Sequence, residues 1–235
     1  MLLAALFDLD GTLIDSLADL AGSMNEALGE MGLPTHDLEA YRYFIGDGVA
    51  SLIDRALPAG RRDPQTVGRV AELYRAAYGR NWHQQTRPYA GIVELLAALA
   101  ADGVPLAVLS NKPQAFTEWC VQHFFPDHTF THVFGQREGV PHKPNPAGAL
   151  EIAQELQLAP ASVGFIGDTA TDMRTAVAAG MFALGVSWGF RPVQELVENG
   201  AREIVGHPEE LRPFFRKSLD RNSIFSQNSA KFPTR

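Results

Sequence analysis

Two carboxylates, Asp8 and Asp10, stand one residue apart at the end of an apolar run and are followed at once by Gly11 and Thr12. Like charges this close repel unless a cation neutralises them, and an all-oxygen set suits a hard divalent ion, Mg²⁺ above all. A second acidic pair, Asp168 and Asp172, follows another apolar run and another glycine, Gly167. It suits completion of an oxygen cage, although Asp172 also falls where a carboxylate meets the positive end of a helix. Between the pairs lies Ser110-Asn111-Lys112-Pro113, whose hydroxyl and amide can donate to phosphate oxygens. Lys143 follows in the run Pro141-His142-Lys143-Pro144-Asn145-Pro146. Pro144 biases Lys143 toward extended backbone, so the ammonium is offered from a stiff loop as a point charge for phosphate. Each piece alone has a blander reading, an Asp-Gly turn or a solvated lysine. Together they supply a nucleophile, a second carboxylate, neutral donors, a cation and a metal cage, which are the parts phosphoryl transfer needs.

Strands must bring these groups together. Residues 2–7 are apolar and too few for a helix, so Asp8 and Asp10 leave the end of a buried strand, and Gly11 permits a tight turn there. Further buried strands are expected at 104–109, 130–134, 163–166 and 182–187, with a short edge strand at 203–205. Helical patterns run between them at 92–101, 113–124, 147–156, 170–179 and 193–198. Asn145 and Pro146 read as the cap and first position of the helix at 147–156. Strands alternating with helices predict an α/β fold, a Rossmann-like doubly wound parallel sheet, which binds ligands at the carboxyl ends of its strands.

The segment between the first two core strands reads differently. Ser16 and Asp19 resemble a capping pair, and apolar residues from Leu17 to Met31 recur at helical spacing. Helices are also expected at 38–44, at 49–57 and from Asp63-Pro64 onward. The organisation is therefore a core of residues 1–16 and 85–215, a helical insertion at 17–84, and a polar, aperiodic tail at 216–235. Within the insertion, Gly46 and Gly48 flank Asp47 in a turn that lets backbone N–H groups approach an anion. By physics alone the plainer reading is preferred, a helix–helix turn in which Asp47 caps the next helix. Arg42, Arg61 and Arg62 are further anion contacts to be tested against ordinary surface arginines.

Composition narrows the function. The 235-residue chain is 46% hydrophobic with a net charge of −7, which argues against nucleic acid or an acidic membrane as the main partner. No apolar run reaches membrane-spanning length, and the N-terminal run lacks the basic start of a signal peptide. The lone Cys120 excludes an internal disulfide and suits a reducing compartment, so a cytoplasmic protein is expected. His128 and His132 are four apart, but the residues between them favour a strand over a helical zinc pair.

The four motifs resemble those of the haloacid dehalogenase superfamily: Phe7-Asp8-Leu9-Asp10-Gly11-Thr12, Ser110-Asn111, Lys143, and Gly167-Asp168-Thr169 with Asp172. The resemblance covers roughly residues 3–211. It implies that Asp8 is the nucleophile and Asp10 the acid and base. It implies that Mg²⁺ is held by Asp8, the Asp10 carbonyl and Asp168 with Asp172 in support. Ser110, Asn111 and Lys143 would then hold the phosphoryl group, with Thr12 and the Gly46 and Gly48 turn at the substrate. The helical insertion is similar to a cap that closes over small substrates, which favours a functional role for its turn. Asp10 argues against a dehalogenase or a phosphonate-cleaving enzyme. The Gly46-Asp47-Gly48 turn, Ser110-Asn111-Lys112-Pro113 and Ser187-Trp188-Gly189-Phe190 look like the phosphoglycolate phosphatase group, which implies 2-phosphoglycolate among small phosphorylated metabolites. Related pyrophosphatases, sugar-phosphate phosphatases and phosphomutases share these features. A receiver-like phospho-acceptor module combines similar parts, but there the acceptor ends a later strand and no long insertion follows the first.

Overall fold

A computed structural model describes residues 1–127 and 130–215. A six-stranded sheet runs β5-β4-β1-β6-β7-β8, built from β1 (Ala4–Phe7), β4 (Leu106–Pro113), β5 (His132–Gln136), β6 (Val163–Gly167), β7 (Phe182–Val186) and β8 (Glu203–Val205). Every pairing is parallel. β1 is central, so the strand that ends in Asp8 has a neighbour on each side, β4 carrying Ser110 and β6 leading to Asp168.

Alternation along the strands divides the core in two. Ala5 and Phe7 join Leu106, Val108, Ile166 and Leu184 on one face. That face packs on Leu95, Leu96 and Leu99 of α5 (Ile92–Ala101) and on Cys120 and Val121 of α6 (Gln114–Phe124). Ala4 and Leu6 join Ala107, Leu109 and Phe165 on the other. They meet α7 (Ala147–Glu155), α8 (Ala170–Ala179) and Leu196 of α9 (Val193–Glu198). A parallel sheet covered on both faces reads as nearly continuous apolar runs, and the doubly wound expectation holds. Cys120 is fully buried, and burial pushes its thiol up to about 12, as befits a small packing residue. Among the described residues no helix is long and apolar enough to cross a membrane.

The helices α1 (Leu17–Glu30), α2 (Leu38–Phe44), α3 (Val49–Ala56) and α4 (Pro64–Asn81) form a separate apolar cluster. Leu17, Leu20, Met24 and Leu28 of α1 pack with Tyr41, Leu52, Ile53, Val70 and Tyr74. Phe190, from the loop after β7, and the partly buried Phe116 of α6 are contributions of the core to this cluster. Asp63 accepts from the Thr66 N–H at 3.0 Å and Pro64 opens α4, as that spacing predicts.

The neck between insertion and core was not legible in the sequence. β2 (Ile14–Asp15) pairs antiparallel with β3 (Arg87–Pro88), tying the outgoing and returning chains side by side. Here the expected Ser16–Asp19 capping pair is corrected. Ser16 makes no side-chain cap bond; its hydroxyl donates to Asp10 Oδ1 at 2.6 Å. Asp19 accepts from the N–H groups of Gln85 and Thr86 and from the Thr86 hydroxyl, all at 2.7–3.0 Å. Ser16 is drawn back to the turn after β1 and Asp19 to partners more than sixty residues on, neither of which local capping rules see.

Other boundaries shift by small amounts. β4 extends to Pro113 rather than ending at Leu109, and β5 begins two residues late because His132 is the residue that pairs with Ala107. At α7 the boundary residue is Pro146, not Asn145, although Asn145 Oδ1 still accepts from the Ala147 N–H at 3.0 Å. The tail at 216–235 and His128 of the histidine pair lie outside the described residues.

Asp19 is 3% exposed. Asp19→Ala leaves the buried Thr86 N–H and hydroxyl without partners, so it is expected to cost about 2–4 kcal/mol. A denaturant midpoint within experimental error of the parent would show that these bonds do not hold the neck.

Candidate active site

The carboxyl ends of β1, β4 and β6 open on one side of the sheet. β1 delivers Asp8, 4% exposed, its backbone N–H still bonded to Ile166 O at 2.9 Å and its Oδ1 accepting from the Leu9 N–H at 2.7 Å. The chain then turns tightly through Gly11 at φ 85°. A Cβ at Gly11 would lie inside the Asp168 carboxylate, so only glycine lets this turn pack against the end of β6.

Asp168 is fully buried. Thr12 donates its hydroxyl to Oδ1 at 2.8 Å, and the Phe190 N–H donates to Oδ2 at 2.8 Å. Thr12, expected at the substrate, is thus placed behind the carboxylate it orients. Asp172 lies in the first turn of α8 and is also fully buried. Its Oδ2 accepts from the Thr169 hydroxyl at 2.7 Å and N–H at 3.1 Å, while Oδ1 faces Lys143 at 2.7 Å. The helix-start and acidic-cluster readings of Asp172 therefore hold together.

Lys143 is 5% exposed. Its Nζ is 2.9 Å from Asp8 Oδ1, 2.7 Å from Asp172 Oδ1 and 3.0 Å from Leu109 O. Burial works against its charge, but Asp172 and Asp8 outweigh that and hold the ammonium above its ordinary range. The expectation that Asn111 holds the phosphoryl group is corrected: both ends of its amide are spent on backbone groups, and it positions the Lys143 loop. Its Oδ1 accepts from the Lys143 N–H at 2.9 Å, and its Nδ2 donates to Lys143 O and to Gly46 O, both at 3.1 Å. One amide thus ties the lysine loop to the insertion's turn.

Asp8, Asp168 and Asp172 each present an oxygen within 4.8 Å of the others. Three buried carboxylates face one ammonium, which leaves the set short of positive charge. The imbalance appears as raised proton affinity. Burial, then Asp172, push Asp8 up to about 7 against the pull of Lys143. Burial, then Asp172 and Asp8, push Asp168 well above the carboxylate range. An all-oxygen, electron-rich cluster with this deficit fits a hard divalent cation. The Asp10 side chain is not in the cluster.

Asp10 belongs to a second ion system. Lys112 Nζ lies 2.9 Å from both Asp10 oxygens. Burial disfavours the Lys112 charge, and Asp10 more than restores it, holding the ammonium above its ordinary range. Lys112 had no separate role in the sequence reading. The available signal was the strand period: once β4 runs on to Pro113, Ser110 and Lys112 share a face. Ser110 Oγ accepts from the Lys112 N–H at 3.3 Å, which leaves its hydrogen for an oxygen in the cleft.

A cleft of about 230 Å³ lies between sheet and insertion. Asp8, Asp10, Ser110, Asn111 and Lys112 form its floor; Ile45, Gly46, Gly48, Val49, Leu52, Tyr74, Arg75 and Tyr78 form its roof. Gly48, at φ 87°, is the boundary residue of α3. The expectation that Asp47 caps this helix is corrected: Asp47 pairs with Arg55 and accepts from the Thr171 hydroxyl of the core. Those partners hold its carboxyl below its usual range despite partial burial. Arg42 and Arg62 are engaged by Glu39 and Asp54 and do not line the cleft.

A sequence profile of haloacid dehalogenase-like hydrolases matches residues 5–186. The chain is 34% identical over 195 residues to the phosphoglycolate phosphatase of Pseudomonas putida, covering 80% of this chain and 71% of that protein. It is 35% identical over 190 residues to the phosphoglycolate phosphatase of Haemophilus influenzae, covering 78% and 85%. A haloacid dehalogenase-like family hydrolase from Streptococcus pneumoniae matches with a TM-score of 0.82 at 26% identity, covering 92% of this chain and 99% of that one. The motifs, the sheet that gathers them and these likenesses agree: the chain belongs to the haloacid dehalogenase-like hydrolase family.

Proposed function

We propose that this hydrolase is a Mg²⁺-dependent phosphatase of small phosphate monoesters, with 2-phosphoglycolate as its substrate and glycolate and phosphate as its products. The observation that carries the reading is Asp8, buried at the end of the central strand on the cleft floor, 2.9 Å from Lys143 and within 4.8 Å of two more carboxylates. The names of the Pseudomonas and Haemophilus relatives support the choice of substrate. In this reading residues 17–84 act as a cap over a core of 1–16 and 85–215, and the enzyme works in the cytoplasm on a small phosphorylated metabolite.

The mechanism assigns the residues as follows. An Asp8 oxygen attacks phosphorus in line; the bond to the leaving oxygen breaks, and that oxygen takes a proton from Asp10. Water then gives a proton to Asp10 as its oxygen attacks the aspartyl-phosphate, releasing phosphate and the Asp8 carboxylate. Ser110 and Lys143 orient the transferring group, while Asn111 holds the Lys143 loop and the Gly46 and Gly48 turn closes the cleft against water. Asp8, the Asp10 carbonyl and Asp168 would hold Mg²⁺, supported by Asp172, and the ion supplies charge neutralisation for the phosphoryl oxygens.

The test is phosphate release from 2-phosphoglycolate, phosphosugars and pyrophosphate, with Mg²⁺ and with chelator. Chelator-sensitive turnover with preference for 2-phosphoglycolate is expected, and Asp8→Asn should lower it about 10³-fold or more with the fold retained. Preference for another ester overturns the substrate; normal turnover by Asp8→Asn overturns the mechanism.

Stability should depend on pH in a defined direction. Asp8 and Asp168 are raised in the fold. From the ordinary carboxylate range up to about pH 7 the metal-free folded protein therefore keeps protons that the unfolded chain releases, and these groups lower its stability as pH rises. Mg²⁺ binds the ionised set, so the gain in melting temperature on adding it should grow from about pH 5 to about pH 8 and shrink in Asp168→Asn. A gain that is independent of pH or unchanged in the variant would count against this cation site.

A further inference from the structure

Asp10 is held by more contacts than a solvated proton carrier requires. Lys112 Nζ sits 2.9 Å from both of its oxygens, and the Ser16 hydroxyl donates to Oδ1 at 2.6 Å. The lysine and aspartate side chains are 3% and 13% exposed, so the pair is largely withdrawn from water. An ammonium buried against apolar walls is costly unless an anion meets it, and Asp10 is that anion in its ionised form, the form that takes the proton of the attacking water and that remains once its proton has gone to the leaving oxygen. The Lys112 ammonium also lies 4.8 Å from the centre of the Tyr78 ring, on α4 of the insertion.

Three parts of the molecule therefore meet at one carboxylate: β4 through Lys112, the neck through Ser16, and α4 through the ring that Lys112 lies over. Lys112 engages both oxygens, and Ser16 adds a bond to Oδ1 that distinguishes the two, leaving Oδ2 the less engaged oxygen. This system is separate from the Lys143 cluster, whose acids are Asp8 and Asp172.

We propose that Lys112 is a positioning residue which, with Ser16, fixes the Asp10 carboxylate at the leaving-group side of the cleft, and that it acts on the reaction through Asp10 alone. This rests on the phosphatase reading above. Proton transfer requires the carrier to be within hydrogen-bond reach of the leaving oxygen and later of the attacking water. A carboxylate free to rotate would meet that geometry only part of the time.

The experiment compares two rates on p-nitrophenyl phosphate, whose leaving oxygen departs without a proton. Release of p-nitrophenolate in a single turnover, with enzyme in excess, reads transfer to Asp8; steady-state turnover also reads the hydrolysis that needs Asp10 as base. For Lys112→Met the single-turnover rate should stay within about threefold of the parent, while kcat falls about 10- to 100-fold. Lys112→Arg should recover part of kcat. Lys112→Met strands a buried carboxylate and is the variant at risk of misfolding, so the pair Asp10→Asn and Asp10→Asn/Lys112→Met is measured beside it. If Lys112 acts only through Asp10, the double variant matches Asp10→Asn within about threefold in both rates. An equal fall of both rates in a folded Lys112→Met, a raised KM with unchanged kcat, or a further loss in the double variant would overturn the assignment and make Lys112 a substrate contact or a purely structural residue. If the parent protein shows no Mg²⁺-dependent turnover, or Asp8→Asn stays active, the phosphatase reading fails and the assignment falls with it. If parent turnover holds and Asp10→Asn slows it while Lys112→Met does not, the assignment alone fails.

Discussion

The structure depends on holding three like charges together in a dry place. Asp8, Asp168 and Asp172 present oxygens within 4.8 Å of one another, and all are buried. Nothing about the carboxylates themselves favours this; repulsion and desolvation both oppose it. The fold compensates with fixed partners. Lys143 bridges Asp8 and Asp172, Thr12 and the Phe190 N–H hold Asp168, and Thr169 closes a capping box on Asp172. Backbone without side chains permits the approach: a Cβ at Gly11 or Gly189 would strike the Asp168 carboxylate. The remaining excess of negative charge is what suits the site to a cation rather than to a simple salt-bridged core.

The sheet turns this local problem into a cleft with two ends. β1 lies between β4 and β6, so the three strand ends bearing chemistry are neighbours even though Asp8, Ser110 and Asp168 are far apart in sequence. Two lysines then divide the charge. Lys143 belongs to the Asp8 and Asp172 side, and Lys112 to Asp10. In the proposed mechanism this division separates the groups that would meet phosphorus from the group that would move a proton. Two carboxylates so near in sequence can do different work only if their surroundings differ in this way.

The insertion is joined to the core by specific contacts as well as by its neck. Asp47 accepts from Thr171, Asn111 donates to Gly46 O, Arg42 donates to Gly189 O, and Arg191 reaches the carbonyls of Tyr43 and Ile45. Phe190 buries its ring in the helical cluster while its N–H holds Asp168. The same loop therefore contacts both the acidic cluster and the packed interior of the insertion. At the neck, Ser16 reaches Asp10 and Asp19 reaches Thr86, so the chain that enters the insertion is bonded to the floor of the cleft and to the chain that leaves.

The sequence by itself determined the alternation of strands and helices, the helical insertion and the main acidic, hydroxyl and lysine groups. These are encoded locally: an apolar run too short for a helix, a glycine where the chain must turn, a proline beside Lys143, and Asp63-Pro64 at a helix start. Only the tertiary structure decided which partner each polar group takes. Ser16 and Asp19 look like a helix cap, yet one is bonded to Asp10 and the other to Thr86. Thr12 looks like a substrate contact and stands behind Asp168. Asp47 looks like a cap and bridges to Thr171 and Arg55. Lys112 looks like one more residue of a motif, and it neutralises Asp10 across the sheet. The physical reason is the same in each case. Backbone preference is set by neighbours within a few residues, whereas a buried polar side chain must bond whatever group the packed chain brings beside it, and that group lies, in the case of Thr12 and Asp168, more than half the chain away.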